Sequence, residues 1–338
     1  MKHSNISVFI PHIGCPMMCS FCNQRTISGT QKAPSGEEVR EICREAFTMI
    51  SDKENCEIAF FGGSFTAIPH DYRIELLESV RDFVGKDKLK GIRISTRPDC
   101  IDDDILRELM YYHVTSIELG CQSMHDEVLK LNRRGHDSEC VETASRLIKS
   151  YGFELGLQMM TGLYGSSPEL DRYTADRILR ICPDTVRIYP VVVLEGTELA
   201  KLYKKGEYDI YGLDEMVSLC SEFMSAFSDK GIRVIKCGLH ASEMVEGEMV
   251  AGYYHPAFRE LCESRIFRNM LEKSLEKYHE TSFTVLVNNR SLSKAQGHKR
   301  SNIEYFSKKG ISLKFIQDMS VAPGDFILTI DNTKKGSN

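Results

Sequence analysis

The chain has 338 residues, 42% of them hydrophobic, and a formal net charge of −5. That length suits one large α/β domain, or one such domain with a smaller companion, and the apolar content is enough to bury a sizeable core. No apolar run reaches the ~18–20 residues that cross a bilayer, and "MKHSNISVF" lacks the apolar stretch of an export signal, so a cytoplasmic protein with no membrane partner is expected.

In chain order, β-like runs appear at "ISVFIP", "EIAFFGG", "GIRIST", "SIELGCQ", "ELGLQMM", "TVRIYPVVVL" and "IRVIKCG". Helical patterns lie between them. "GEEVREICREAFTMI" sets Val39, Ile42, Cys43, Ala46 and Phe47 on one face at helical spacing. "DYRIELLESVRDFV", "DDDILRELMYYH", "SECVETASRLIKS", "PELDRYTADRILRI" and "LDEMVSLCSEFMSAFSDKG" behave alike, with Asp or Ser at several starts. Strands alternating with helices predict βαβ units and a parallel sheet that curls into a partial or full α/β barrel. In such folds chemistry gathers at the C-terminal ends of the strands. Polar or glycine-rich stretches do follow the runs: "HIGCPMMCSFC", "GGSF", "STRPD", "CQS", residues 158–161 and "YPVVVLEGT".

Residues 281–332 read as a small α+β appendage, with strands at "SFTVLVNN", "ISLKFIQD" and "GDFILTID". The expected organisation is a core barrel over 1–240, a helical connector over 241–280, the appendage, and a disordered tail over 333–338. Residues 281–338 carry nine Lys or Arg against four Asp or Glu, a formal +5, so the preceding 280 residues carry −10. A basic appendage on an acidic body points to a polyanionic partner. Within "SKAQGHKRSNIEYF", Lys294, His298, Lys299, Arg300 and Tyr305 combine cations with an aromatic ring, which suits phosphate contact and base stacking.

Nine of the twelve cysteines are scattered singly and read as buried thiols rather than a disulfide framework. Cys15, Cys19 and Cys22 instead form a C-x3-C-x2-C cluster at the exit of the first strand. Thiolates suit zinc and iron–sulfur centres. A structural zinc site takes four protein ligands, and His12 is available as a fourth. A ferredoxin-type site also takes four cysteines. Three cysteines on one loop leave one iron of a 4Fe–4S cluster open to a small molecule.

This loop after a first strand resembles the radical SAM superfamily, in which the open iron takes the amino and carboxylate groups of S-adenosylmethionine (SAM). There an electron from the cluster cleaves the sulfonium and releases a 5′-deoxyadenosyl radical that abstracts hydrogen from a substrate. Phe21, the aromatic residue before the last cysteine, is also typical. "FFGGSFTAIP", "STRPD", "IELGCQS", "RRGH" and "YPVVVLEGTELAKLYKKGEY" together resemble the radical SAM domain of the Elongator catalytic subunit and, more distantly, oxygen-independent coproporphyrinogen dehydrogenase, over roughly residues 5–240.

The resemblance implies one 4Fe–4S cluster on Cys15, Cys19 and Cys22, which are both metal ligands and the catalytic cysteines. It implies SAM contacts from Phe21, Gly62, Gly63, Ser64, Ser95, Gln122, Arg133 and Gln158, with Arg133 pairing with the carboxylate. It also implies an electron donor such as ferredoxin or flavodoxin, and together with the basic appendage it makes tRNA the first substrate to test, with residues 290–305 as the contact expected from their charge and aromatic ring.

Two features depart from those relatives. Ser95 stands where they usually show glutamate, and Gln158 where the coproporphyrinogen enzymes carry an aspartate for the ribose hydroxyls. The Elongator subunit continues into an acetyltransferase domain, and the ~100 residues after Cys237 are too few for that domain plus a connector, so acyl transfer is not expected. Tyr189 at the sixth strand end and His240 after the last strand run are further candidates near the rim, and His255 in "YYHPAF" is a third candidate. A non-catalytic iron–sulfur or SAM-binding protein acting on RNA, or a regulatory one, is the alternative function.

Overall fold

The computed structural model describes residues 4–10, 19–23, 32–239 and 243–331. They fall into two compact units, one drawn from residues 1–212 and 226–254, the other from 213–225 and 255–338.

The first unit is built on seven parallel strands: β1 (Ser4–Ile10), β2 (Cys56–Gly62), β3 (Gly91–Thr96), β4 (Val114–Gln122), β5 (Glu154–Thr161), β6 (Thr185–Pro190) and, after the short β7 (Val192–Leu194), β8 (Arg233–Cys237). The order β1-β2-β3-β4-β5-β6-β8 follows the sequence, so every crossover advances one place in the same direction. β1 and β8 are the two edges of this sheet, which makes it a half-barrel and settles the expectation of a partial or full barrel in favour of the partial one. The expected run "TVRIYPVVVL" divides after Pro190, and β7 pairs antiparallel with β9 (Met249–Gly252).

The crossover helices span Gly36–Met49, His70–Val80, Asp103–Tyr111, Ser138–Ser150 and Pro168–Ile181. Their starts are chemically marked. Ser35 and Glu38 form a reciprocal capping box, and Asp102, Asp137 and Ser167 each accept a hydrogen bond from a backbone N–H of the first turn. The side chains facing these helices are apolar: Ile58, Phe60, Ile92, Ile94, Ile117, Leu119, Leu155, Leu157, Val186 and Ile188 are all buried. Parallel sheets need such a covered face.

Period 2 sends the alternate residues to the concave face, and there the chain is charged. Arg93 donates to Glu57 (Nε–Oε2, 2.8 Å), Glu118 (Nη1–Oε1, 3.2 Å) and Glu154 (Nη2–Oε1, 2.6 Å). Arg187 grips both oxygens of Glu118, Nε to Oε2 at 2.6 Å and Nη2 to Oε1 at 2.8 Å. Glu57 and Glu118 are 0% and 1% exposed, so water does not compensate them and the arginines must. Gly156, beside Glu118 in the β4–β5 ladder, leaves room for this. A Cβ there would lie 2.7 Å from Glu118 Cγ and 2.9 Å from Thr185 Oγ1.

The second unit is of another kind. β10 (Ser282–Val287) pairs parallel with β11 (Ser312–Gln317) and antiparallel with β12 (Phe326–Ile330). Phe283, Val285 and Val287 pack with Phe306 of the helix Ser301–Lys308 and with Phe267, Leu271 and Leu275 of the helix Phe258–Leu275. That second helix lies in the stretch expected as a connector, yet it shares one apolar core with the appendage strands. Residues 332–338, which hold the expected tail, lie outside the described residues. Among the described residues no helix is long and apolar enough to cross a membrane.

Candidate functional site

The C-terminal strand ends form a rim that carries most of the residues singled out by sequence. Cys15, His12 and His240 lie outside the described residues; Cys19, Phe21 and Cys22 lie within them.

The segment 19–23 is anchored on three sides. Ser20 N–H donates to the Asn132 carbonyl (3.2 Å) and Ser20 Oγ to Asn132 Oδ1 (2.7 Å), while Leu199 N–H donates to the Ser20 carbonyl (2.8 Å). Asn132 is itself fully buried, with Nδ2 donating to the carbonyls of Val128 and Tyr164. Cys22 N–H donates to the Cys19 carbonyl, closing a tight turn between the two cysteines. Phe21 packs against the apolar cluster of Val128, Leu163, Val191 and Leu199, so the aromatic residue before Cys22 wedges the loop into the unit.

Cys19 Sγ accepts a hydrogen bond from Arg134 Nη1 at 3.2 Å. Arg134 Nη2 donates to the Gly120 carbonyl at 2.6 Å, and the guanidinium also meets His136 Nε2 at 3.2–3.3 Å. Burial and then the charge of Arg134 push the His136 imidazole down to about 4, so it stays neutral and accepts at Nε2. Arg97 is tied to Asp99 in two parallel bonds of 2.8 and 2.6 Å, and Asp99 sits close enough to His136 to act on its charge.

Of the two neighbouring arginines, Arg134 is the one that meets Cys19 at the rim, while Arg133, the residue singled out by sequence, points elsewhere. Arg133 has a left-handed backbone (φ 54°) just after the helix Asp126–Leu131, and this turns adjacent side chains apart. Its own side chain is 57% exposed and faces Glu198 at 3.7 Å.

Gln122 is brought to the same rim. It follows a register shift in the β4–β5 ladder and is itself left-handed, φ 63°, which a glutamine adopts only where the surroundings force it. Its Oε1 is buried and has no hydrogen-bond partner among the described residues.

Gly62, Gly63 and Ser64 are held by the strand exits on either side. Gly62 has φ 110°, and a Cβ there would lie 2.6 Å from the Ile10 carbonyl oxygen. Gly63 N–H donates to that same oxygen at 2.8 Å. Ser64 Oγ pairs with Thr96 Oγ1 (2.9 Å) and accepts from Arg97 N–H (3.1 Å). A glycine at 62 is thus required by the approach of β1, whatever it also offers a ligand.

Ser95 and Gln158 meet deeper in the concavity, where Gln158 Nε2 donates to Ser95 Oγ (3.2 Å) and Glu118 Oε2 (2.8 Å). Tyr189 stands on the same inner face; burial pushes its hydroxyl up, and nearby Arg187 opposes the shift. His255 belongs to the second unit, where its ring meets His298 edge-on at 5.5 Å.

Sequence reading missed Arg134, His136, Glu118 and Arg187. The first two stood inside the quoted "RRGH". The last two broke the apolar character of "SIELGCQ" and "TVRIYP" every second residue, which is the signal of a polar inner face. The residues present fit the groups a three-cysteine loop implies: the buried orphan oxygen of Gln122 suits a donor such as an amino group, and the Arg134 guanidinium suits thiolate sulfur and carboxylate alike.

Residues 9–177 match the radical SAM superfamily, and residues 183–268 match the radical SAM C-terminal domain. The chain is 29% identical over 216 residues to the tRNA uridine(34) acetyltransferase of Methanocaldococcus infernus, covering 57% of this chain and 40% of that protein. It is 28% identical over 194 residues to human Elongator complex protein 3, covering 51% of this chain and 35% of that one. The chain thus spans well under two thirds of the length of these two relatives. The solved structure of Elp3 from M. infernus superimposes with a TM-score of 0.61 at 23% identity, covering 80% of this chain and 63% of that one. Coproporphyrinogen III oxidase from Escherichia coli gives 0.50 at 17% identity, covering 68% and 53%. The structural likeness shows a shared fold, and with the match over half of its length the chain belongs to the radical SAM superfamily.

Proposed function

We propose that the chain is a radical SAM enzyme that holds a 4Fe–4S cluster on Cys15, Cys19 and Cys22 and acts on RNA. The observation that carries this is the contact between Arg134 and Cys19 Sγ at the strand-end rim, with the buried Oε1 of Gln122, which has no partner among the described residues, on the same rim. The guanidinium is a planar double donor that suits a carboxylate as well as the sulfur it meets here. In this reading Arg134 meets the SAM carboxylate, Gln122 accepts from its amino group, and the chain from Gly62 to Ser64 shapes the wall between them. When bound, the cluster supplies the electron that cleaves SAM to a 5′-deoxyadenosyl radical, which abstracts hydrogen from the substrate.

tRNA is the substrate this reading favours, since relatives over the radical SAM region are named as tRNA uridine(34) acetyltransferases. Lys299 and Arg300, exposed before the helix Ser301–Lys308, support a phosphate contact from the second unit. A reduced ferredoxin or flavodoxin is the expected electron source.

The test is anaerobic. The protein is reconstituted with iron and sulfide, reduced with dithionite and given SAM, and 5′-deoxyadenosine is quantified with and without total tRNA. Cleavage that needs each cysteine and rises with tRNA supports the proposal. Four irons and bound SAM without cleavage under either condition would favour the non-catalytic alternative, and bound zinc in place of iron would overturn the reading.

A further inference from the structure

The amide of Gln158 lies on the concave face of β5, in register with Gly120 of β4 and Arg187 of β6. Its Nε2 donates to Glu118 Oε2 at 2.8 Å and to Ser95 Oγ at 3.2 Å. Chemistry fixes which end of the amide faces Glu118. That carboxylate is buried, carries Arg187 on both oxygens and Arg93 on one, and so only accepts. Burial alone would raise its affinity for a proton, but the charge of Arg187 and then of Arg93 holds it below the ordinary carboxylate range. Turning the Gln158 amide over would set its oxygen against the Glu118 oxygen in a site of low polarity, where repulsion is strong. With both N–H groups committed, Oε1 is the one polar atom of the side chain left for a ligand.

The charges nearby sharpen the point. Ser95 and Gln158, the two residues aimed at this spot from β3 and β5, are both neutral. The one carboxylate at hand, Glu118, is turned into the sheet and held by arginine. Recognition here is by an uncharged acceptor, which suits a hydroxyl or N–H of the ligand and gives a cation no special preference.

We infer that Glu118, backed by Arg187, is a positioning residue that locks the Gln158 amide so that Oε1 accepts a hydrogen bond from a ribose hydroxyl of SAM. This rests on the reading that SAM binds at this rim. Glu118 does not touch the ligand; it acts through the amide.

The test uses the full chain with its cluster reconstituted. Binding of S-adenosylhomocysteine, which carries the same ribose and is not cleaved, is compared by calorimetry with binding of its 2′,3′-dideoxy analogue. In the wild type the analogue binds about tenfold more weakly, the order expected for one or two good hydrogen bonds. Gln158→Leu brings that ratio close to one. Glu118→Gln does the same, because an amide at 118 lets Gln158 turn, and the double variant loses no further discrimination. A Glu118→Gln protein that melts like the wild type and keeps the full ratio would overturn the inference. So would a wild type that binds both compounds equally.

Should Glu118→Gln fail to fold, Ser95→Ala decides. The lock predicts that its ratio stays within twofold of the wild type, and loss of discrimination there would make Ser95 the determinant instead. Failure of the SAM reading looks different: the wild type with its cluster loaded binds neither SAM nor S-adenosylhomocysteine, and the inference falls with it.

Discussion

The two larger sheets of the molecule solve burial in opposite ways. The sheet of the second unit buries Phe283, Val285 and Val287 on one face of its central strand and leaves the alternate residues half-buried, so its core is apolar and ordinary. The seven-stranded sheet is apolar only toward its helices, and its concave face buries Glu57, Arg93, Glu118 and Arg187. A buried ion network adds little stability over an apolar core of the same shape, but breaking it is costly. The charged face therefore reads as a device for holding side chains in fixed directions, and the apolar sheet as a device for stability alone.

This contrast can be broken experimentally. The largest effect is expected on activity: Cys19→Ala should abolish both the brown colour of the reconstituted protein and 5′-deoxyadenosine formation, and residual cleavage would refute the assignment of the loop. Next comes Arg93→Ala, which removes the guanidinium that bonds Glu57, Glu118 and Glu154 together. It should destabilise the first unit by ~3–5 kcal/mol in denaturant unfolding, whereas Phe283→Leu in the second unit should cost under ~1.5 kcal/mol because the core can repack. Equal costs would show that the two sheets tolerate change alike.

Smaller is the split between neighbours. Arg134→Ala should lower SAM affinity by roughly 10- to 100-fold, the order for losing a charge-assisted pair, while Arg133→Ala, removing an exposed pair, should change it less than about twofold. The smallest effect concerns pH. Asp171 is buried, and although Ser166 Oγ and Gly162 N–H donate to it, burial pushes it up to about 6. In the unfolded chain it titrates near ~4. The folded state therefore binds the extra proton, and stability falls as pH rises from about 4 to about 6. Asp171→Asn should flatten that part of the stability profile, and an unchanged slope would place the proton elsewhere.

Much of this was legible in the residues. The strand runs, the helix caps at Ser35, Asp102, Asp137 and Ser167, and the rim stretches are local signals, and local signals carry over to structure. What stayed hidden depended on direction. Whether Arg133 or Arg134 reaches Cys19 is decided by one left-handed residue. Whether Gln158 offers an oxygen or a nitrogen is decided by Glu118, forty residues earlier in the chain. The packing of the helix Phe258–Leu275 with strands that begin at Ser282 was equally invisible, because its apolar positions name no partner.

Gly156 has a consequence of its own. Its backbone is not left-handed, so alanine would be conformationally welcome there, yet an added methyl would collide with the stem of Glu118. What the position enforces is volume. In a saturation scan it would score as intolerant as a turn glycine for an unrelated reason, and rescue would need residue 118 shortened, at the loss of the carboxylate that Arg187 holds, and Thr185 Oγ1 moved aside. Positions 118 and 156 should accordingly drift together under selection, as a lock and the space cut for it.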